Sequence, residues 1–293
     1  MSSSQPPMRT VVITGATGGI GIHTAIGVAR TGARVIVTGR NADRGDAAVE
    51  RIRAESGNEQ VELVLGDLSE QARLHALADE ILAKAPRIDV LINNAGLLSE
   101  DRSETVDGVE GHFAVNVIAP YLLTQRLMPA LEAAVPARVV YVTGGSKSGP
   151  IDPADLQSQQ GFSTWSAYNT TKRAMETMVL AQAGEMESRG VFLNVVYPGP
   201  ASTPMTARMT SRSMPWYLRP LWPVFSAFMQ RDDDGKSAEK ASRSSVWAAS
   251  APESVAASGQ YFDTHCQPAR FHASLHEPAH QAAVIRAIEG VLV

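Results

Sequence analysis

From Thr10 to about Tyr197 the chain alternates two kinds of apolar pattern. Short unbroken runs rich in Val and Ile predict strands at Thr10–Thr14, Arg34–Thr38, Val61–Leu65, Asp89–Ile92, Arg138–Thr143 and Val191–Val196. Between them, Ala-rich stretches of helical period predict helices at about Gly19–Thr31, Asn41–Ser56, Glu70–Ala85, Gly111–Ala134 and Ser163–Arg189. Strands apolar on both faces and separated by helices require a parallel sheet covered on both sides. The expected fold is therefore α/β, a doubly wound parallel sheet with helices on both faces. No repeat of solenoid period competes with it.

The turn between the first strand and the first helix reads Thr14-Gly15-Ala16-Thr17-Gly18-Gly19-Ile20-Gly21. Gly15 allows a tight turn, Gly19 lets backbone N–H groups approach a pyrophosphate at a helix N-terminus, and Gly21 lets the helix pack close to the strand. The second strand ends about twenty residues later, which is the context a dinucleotide site requires. Gly15, Thr17, Gly18, Gly19 and Ile20 are its expected lining. At the end of the second strand the chain reads Val37-Thr38-Gly39-Arg40-Asn41, with no acid to accept from the adenosine ribose hydroxyls. Arg40 is suited to pair with a phosphate, so NADP(H) is expected in preference to NAD(H). Arg44 either assists or is a solvated helix residue. Asp67, just past the third strand, either accepts from the adenine amino group or caps the next helix. Leu68 beside it is assigned to the same site.

Tyr168 and Lys172 lie four residues apart in a predicted helix and share one face. An ammonium close to a phenol favours the phenolate, so the Tyr168 pKa is expected to fall toward the working pH. That makes Tyr168 a candidate proton donor or acceptor.

In their order and spacing, Thr14-Gly-x-x-x-Gly-x-Gly21, Asn93-Asn-Ala-Gly96 and Tyr168-x-x-x-Lys172 resemble the short-chain dehydrogenase/reductase family over nearly the whole chain. The resemblance implies one Rossmann-fold domain over residues 1–293 and an NAD(P)-dependent enzyme. In it, the stretch Asn93, Asn94, Ala95 and Gly96 stabilises the central sheet and contacts the cofactor. Asn116 is implied to break its helix locally and hold a water in a proton relay to Lys172. Read from the residues alone, Asn116 is equally a buried amide satisfied by packing partners. Asn194–Thr203 resembles the family's nicotinamide-holding segment, with Pro198, Gly199 and Thr203 as contacts. Without that likeness, Pro198-Gly199 is a strand-ending turn. Ile151–Gln157, Gly235–Glu239 and Ser258–Phe262 resemble the retinol dehydrogenase, WW-domain oxidoreductase and light-dependent protochlorophyllide reductase branch. That branch implies NADP(H) and hydrophobic substrates.

One position departs from the family. Where most members carry a serine that orients the substrate carbonyl, this chain has Gly144. Ser146 is the favoured replacement and joins Tyr168, Lys172 and Asn116 in the expected catalytic set; Thr143 is the other available hydroxyl. Loss of one oxyanion donor lowers rates by about 10²–10³ elsewhere.

Residues 205–230 are dense in methionine and aromatic side chains and punctuated by Pro215, Pro220 and Pro223. This suits a mobile lid over an apolar pocket, or a helical excursion packed on the core. Arg208, Arg212 and Arg219 add a third reading, peripheral contact with a membrane surface.

Composition narrows the rest. A chain of 293 residues with 44% hydrophobic and 19% charged residues is ordinary for a globular protein. A net charge of −4 with five lysines argues against nucleic acid as a partner. The single cysteine, Cys266, excludes an internal disulfide and fits a reducing compartment. No apolar leader precedes Thr10 and no apolar run reaches ~18 residues, so a cytoplasmic protein is expected. A homo-oligomer is left open. The functional expectation is hydride transfer between NADP(H) and a hydrophobic carbonyl or alcohol, with Tyr168 moving the proton. Two alternatives stand beside it: reduction of a conjugated C=C bond, and a non-redox enzyme or dinucleotide sensor on the same fold.

Overall fold

In the computed structural model, which describes residues 8–144, 150–214, 216–229 and 234–293, every predicted strand forms within one residue of its expected bounds. They are β1 (Thr10–Ile13), β2 (Arg34–Gly39), β3 (Val61–Leu65), β4 (Val90–Asn93), β5 (Ala137–Val142) and β6 (Val191–Val196). Two short strands extend the sheet, β7 (Gln260–Phe262) parallel to β6 and β8 (Pro268–Ala269) antiparallel to β7. The order is β3-β2-β1-β4-β5-β6-β7-β8. Chain direction across the sheet reverses between β1 and β4, which opens a crevice at the carboxyl ends of those strands.

Alternate strand residues feed two separate cores. Val11, Ile13, Val35, Val37, Val90 and Ile92 face α1 (Gly19–Ala29), α2 (Ala42–Ser56) and α8 (Lys236–Ser250). Val12, Ile36, Leu91 and Val139 face the other layer, formed by α3 (Gln71–Lys84), α5 (Ala119–Glu132), α6 (Thr164–Ser188) and α9 (Pro278–Glu289). Both sheet faces are thus covered, as unbroken apolar strands demand.

The predicted helix from Gly111 has a more detailed form. It opens as α4 (Gly111–Phe113), widens into a π segment at Ala114–Ile118, and continues as α5. The helix α8 was absent from the apolar pattern because its buried face is made of Ala238, Ala241, Ser242, Ser244, Ser245, Ala248 and Ala249. Small residues let it approach α1 closely: a Cβ on Gly27 would stand 2.6 Å from Val246 Cγ2. Within residues 205–230 the described chain forms 3-10 turns at Thr206–Arg208, Ser211–Ser213 and Trp216–Leu221 and then α7 (Trp222–Met229). Glu100 anchors the start of this excursion, its Oε1 accepting from Thr210 N (2.8 Å), Thr210 Oγ1 (2.6 Å) and Ser213 Oγ (2.6 Å). Tyr217, Leu221 and Val224 are exposed. Among the described residues, no helix is long and apolar enough to cross a membrane.

Candidate active site

The glycine-turn side of the crevice is locked by two asparagines. Asn94 Nδ2 donates to Thr14 O (2.9 Å) and Gly15 O (3.3 Å), while Thr14 Oγ1 accepts from the backbone N of Asn94 and of Ala95, each at 3.1 Å. Gly15 adopts φ +66°, and a Cβ there would stand 2.9 Å from Ala95 Cα. Only glycine serves both demands. Asn93 is buried and donates to Thr124 Oγ1 (3.3 Å), which is bonded in turn to Tyr141 Oη (2.9 Å). The end of β4 is thereby tied to the turn after β1 on one side and to α5 on the other.

A cleft of about 300 Å³ opens over this turn. It brings together Gly15, Thr17, Gly18, Gly19, Ile20, Arg40, Asn94, Ala95, Gly96, Pro198 and Thr203 with Tyr168 and Lys172. Arg44 and Arg208 line it too, and among the described lining residues there is no carboxylate. Arg44 follows from local geometry: Asn41 caps α2 by accepting from Arg44 N (2.9 Å), and the Arg44 guanidinium lies beside Gly18. Arg208 belongs to the excursion and was not assigned to the cleft from sequence; its contribution depends on a fold-back that no local pattern records. Asp67 lines a neighbouring cleft of about 320 Å³ that shares Arg40 with the first. Its Oδ1 accepts from Ser69 N (2.9 Å) and Ser69 Oγ (2.7 Å). Burial pushes its carboxyl up, but these bonds together with Arg40 and Arg73 hold it below its ordinary range. Leu68, Gly199 and Asn116 do not line the main cleft, and Ser146 lies outside the described residues.

Tyr168 and Lys172 project from α6, whose N-terminus is capped by Ser163 Oγ accepting from Ser166 N (3.3 Å). Lys172 is buried; its Nζ donates to Val142 O (2.9 Å) and lies 5.8 Å from the centroid of the Tyr168 ring. Burial pushes Lys172 down to about 8, against the pull of Glu176. Burial pushes the Tyr168 phenol up to about 12, and Tyr197 adds to the rise. The expected fall in the Tyr168 pKa is thus corrected to a rise. Spacing gives the adjacency of the pair, but the loss of water around the phenolate outweighs an ammonium that is itself desolvated and turned toward a backbone carbonyl.

One helical turn beyond Lys172, buried Glu176 accepts from Thr143 Oγ1 at 2.5 Å. Burial raises its carboxyl to about 7. Thr143 therefore spends its hydroxyl proton on Glu176 and does not offer it to the cleft. Gly144 sits directly against the phenol: a Cβ there would be 2.6 Å from Tyr168 Cε1 and 2.9 Å from Tyr168 Oη. With Tyr168 in this position a side chain at residue 144 has no room. Asn116 lies in the π segment, where the resemblance implied a local break. Its Oδ1 accepts from Leu97 N (2.7 Å), and its Nδ2 donates to Leu97 O and Thr171 Oγ1, both at 3.0 Å, so the side chain is engaged within the protein. The loop after β4 is held from below by His112. The Ser99 N–H donates to His112 Nε2 (2.9 Å), which leaves the ring proton on Nδ1 to donate to Glu110 Oε1 (2.8 Å).

A family model described as short chain dehydrogenase matches residues 9–213. The chain is 36% identical over 259 residues to retinol dehydrogenase 12 of Mus musculus, covering 88% of this chain and 78% of that protein. It is 35% identical over 267 residues to polyprenol dehydrogenase of Mus musculus, covering 87% and 75%. Among solved structures, an uncharacterized protein from Mycobacterium paratuberculosis superposes with a TM-score of 0.75 at 25% identity, over 99% of this chain and 97% of that one. A Pseudomonas aeruginosa protein solved as an NADP active-site complex gives a TM-score of 0.64 at 26% identity, over 87% and 94%. The likeness to retinol dehydrogenases read from the sequence is borne out. Sequence, fold and the meeting of the three motifs in and around one crevice lead to the same conclusion: the protein belongs to the short chain dehydrogenase family.

Proposed function

We propose that the protein is an NADP(H)-dependent oxidoreductase that moves hydride between the nicotinamide and a hydrophobic carbonyl or alcohol. One observation carries this reading: Tyr168 and Lys172 share a cleft with a glycine turn and three arginines, and no described carboxylate lines it. Such a cleft suits a ligand with a pyrophosphate and a further phosphate. The backbone from Gly15 to Ile20 would hold the pyrophosphate, Arg40 and Arg44 the 2′-phosphate, Lys172 the nicotinamide ribose, and Pro198 with Thr203 the carboxamide. When bound, the nicotinamide supplies or accepts the hydride. Tyr168, with its pKa near 12, is protonated at neutral pH and is poised to donate to a substrate oxygen. Lys172, with its pKa near 8, holds a positive charge beside it at neutral pH and favours the phenolate left after that donation. The retinol and polyprenol dehydrogenase relatives support a lipophilic alcohol or aldehyde as substrate.

The test is NADPH consumption with a panel of lipophilic aldehydes, ketones and enones, run on the parent and on Tyr168→Phe. The variant is expected to lose about 10²–10⁴ in turnover while NADPH affinity is unchanged. Equal rates for the two proteins overturn the reading, and tight NADPH binding without turnover favours a sensor. A second reading, reduction of a conjugated C=C bond, is favoured by the missing side chain at Gly144 and the commitment of Thr143 to Glu176. A proton delivered to carbon needs no hydroxyl at that place. Mass and NMR analysis of enone products separates a saturated ketone from an allylic alcohol.

A further inference from the structure

A second cavity, of about 350 Å³, lies on the next stripe of α6 and shares no residue with the cleft already described. Asn169 and Arg173, one turn apart, lie in its polar wall beside Ser163, Ser166 and Thr170; both are more than nine-tenths buried, at 7% and 2% exposure. Neither is satisfied. Asn169 Oδ1, Arg173 Nε and Arg173 Nη1 have no hydrogen-bond partner, and among the described residues no carboxylate reaches Arg173 at ion-pair distance. Glu176 attracts it from farther away, but that carboxyl is bonded to Thr143. Ile151, Trp165, Tyr217 and Leu218 supply the bulk of its apolar surface. Trp165 is braced by Phe225 of α7 in an edge-to-face contact, ring centroids 6.4 Å apart, so the excursion after Thr203 folds over this alcove.

Unpaired donors on a buried guanidinium are costly, and buried polar groups are nearly always partnered. A wall that combines such donors with an unpaired acceptor one turn away is complete only when something fills it. Arg173 is the single charged residue among the described lining, which matches a monoanion better than a phosphate. We propose that this alcove binds an amphiphilic organic acid. Arg173 takes the carboxylate, Asn169 Oδ1 accepts from a hydroxyl or amide N–H next to it, and Trp165, Tyr217 and Leu218 cover the apolar portion. The site goes beyond the redox reading and does not depend on it.

Calorimetric titration of the full chain with octanoate, 3-hydroxyoctanoate and octan-1-ol tests this without turnover, so its outcome is separable from that of the NADPH assay. Octanoate is expected to bind at least tenfold more tightly than the alcohol of equal length, and the hydroxy acid more tightly again. Arg173→Met removes the preference for acid over alcohol, yet its ligand-free thermal midpoint equals or exceeds that of the parent, because an uncompensated buried charge is gone. Asn169→Asp, which adds a negative charge to the wall, weakens octanoate. Equal binding of acid and alcohol by the parent overturns the proposal, as does no octanoate binding at millimolar concentration. A fall in the ligand-free midpoint of Arg173→Met also overturns it, since that assigns the arginine to the fold. Should Arg173→Met not fold, the acid-to-alcohol comparison on the parent decides alone.

Discussion

The two sides of the crevice are built from different materials. On the side of β1 and β4 the surface is main chain, pinned by Thr14, Asn93 and Asn94, whose polar side-chain atoms bond to neighbouring backbone or to α5. On the side of β5 and α6 the surface is side chain, Tyr168 and Lys172, and Glu176 lies buried behind them on the same helix. The charges of Lys172 and Glu176 are held against the grain of the fold. The Glu176 pKa is raised from 4.5 to about 7, so the stability this carboxyl contributes is full below 4.5 and lost as pH rises through 7. The Lys172 pKa is lowered from 10.5 to about 8, so its contribution is full above 10.5 and lost as pH falls through 8. Near neutrality the fold holds both ions at a disadvantage. In the proposed reaction, one side is the frame that binds the cofactor, and the other keeps titratable groups where they would exchange protons.

Three variants would break or sharpen this contrast. The largest effect belongs to the binding frame: Arg40→Ser combined with Arg44→Ser removes two charged contacts of about 1.5–3 kcal/mol each, so the NADPH dissociation constant rises at least ~10²-fold. NADH affinity changes far less, as fluorescence titration of both cofactors would read out. Equal weakening of the two would mean that the arginines supply general attraction and do not recognise a 2′-phosphate. Next, Gly144→Ser restores the family's residue but places a Cβ 2.6 Å from the Tyr168 ring. Overpacking of about 1–3 kcal/mol translates into roughly tenfold slower turnover at unchanged NADPH affinity. Faster turnover in steady-state assays would show that the tyrosine has room and that the two sides are less different than drawn. The smallest effect is a shift of profile. Glu176 raises the Lys172 pKa, so Glu176→Gln lowers it, and the alkaline limb of the reduction rate moves down by ~1 pH unit. An unmoved limb would detach Glu176 from the proton chemistry.

The frame was the more legible side. Unbroken Val and Ile runs located β1 to β6, and the glycines after β1 announced their own conformation because few residues tolerate φ near +66°. On the other side, spacing alone placed Tyr168 beside Lys172, but the direction of the tyrosine shift depends on burial, which spacing does not encode. Glu176 passed for an ordinary helix residue for the same reason. The wall containing Arg173 joins residues 150–173 to Tyr217 and Leu218, a long-range meeting with no local signature. The helix α8 stayed hidden because its buried face is alanine and serine, whose small side chains carry little apolar contrast.

The sheet finishes at β8, a strand of two residues that begins with Pro268 and runs against its neighbour. Without it, β7 would present open amides and carbonyls as a template on which another chain could lay a strand. An edge this short offers almost nothing to copy, so the parallel sheet is guarded on that flank against edge-to-edge aggregation.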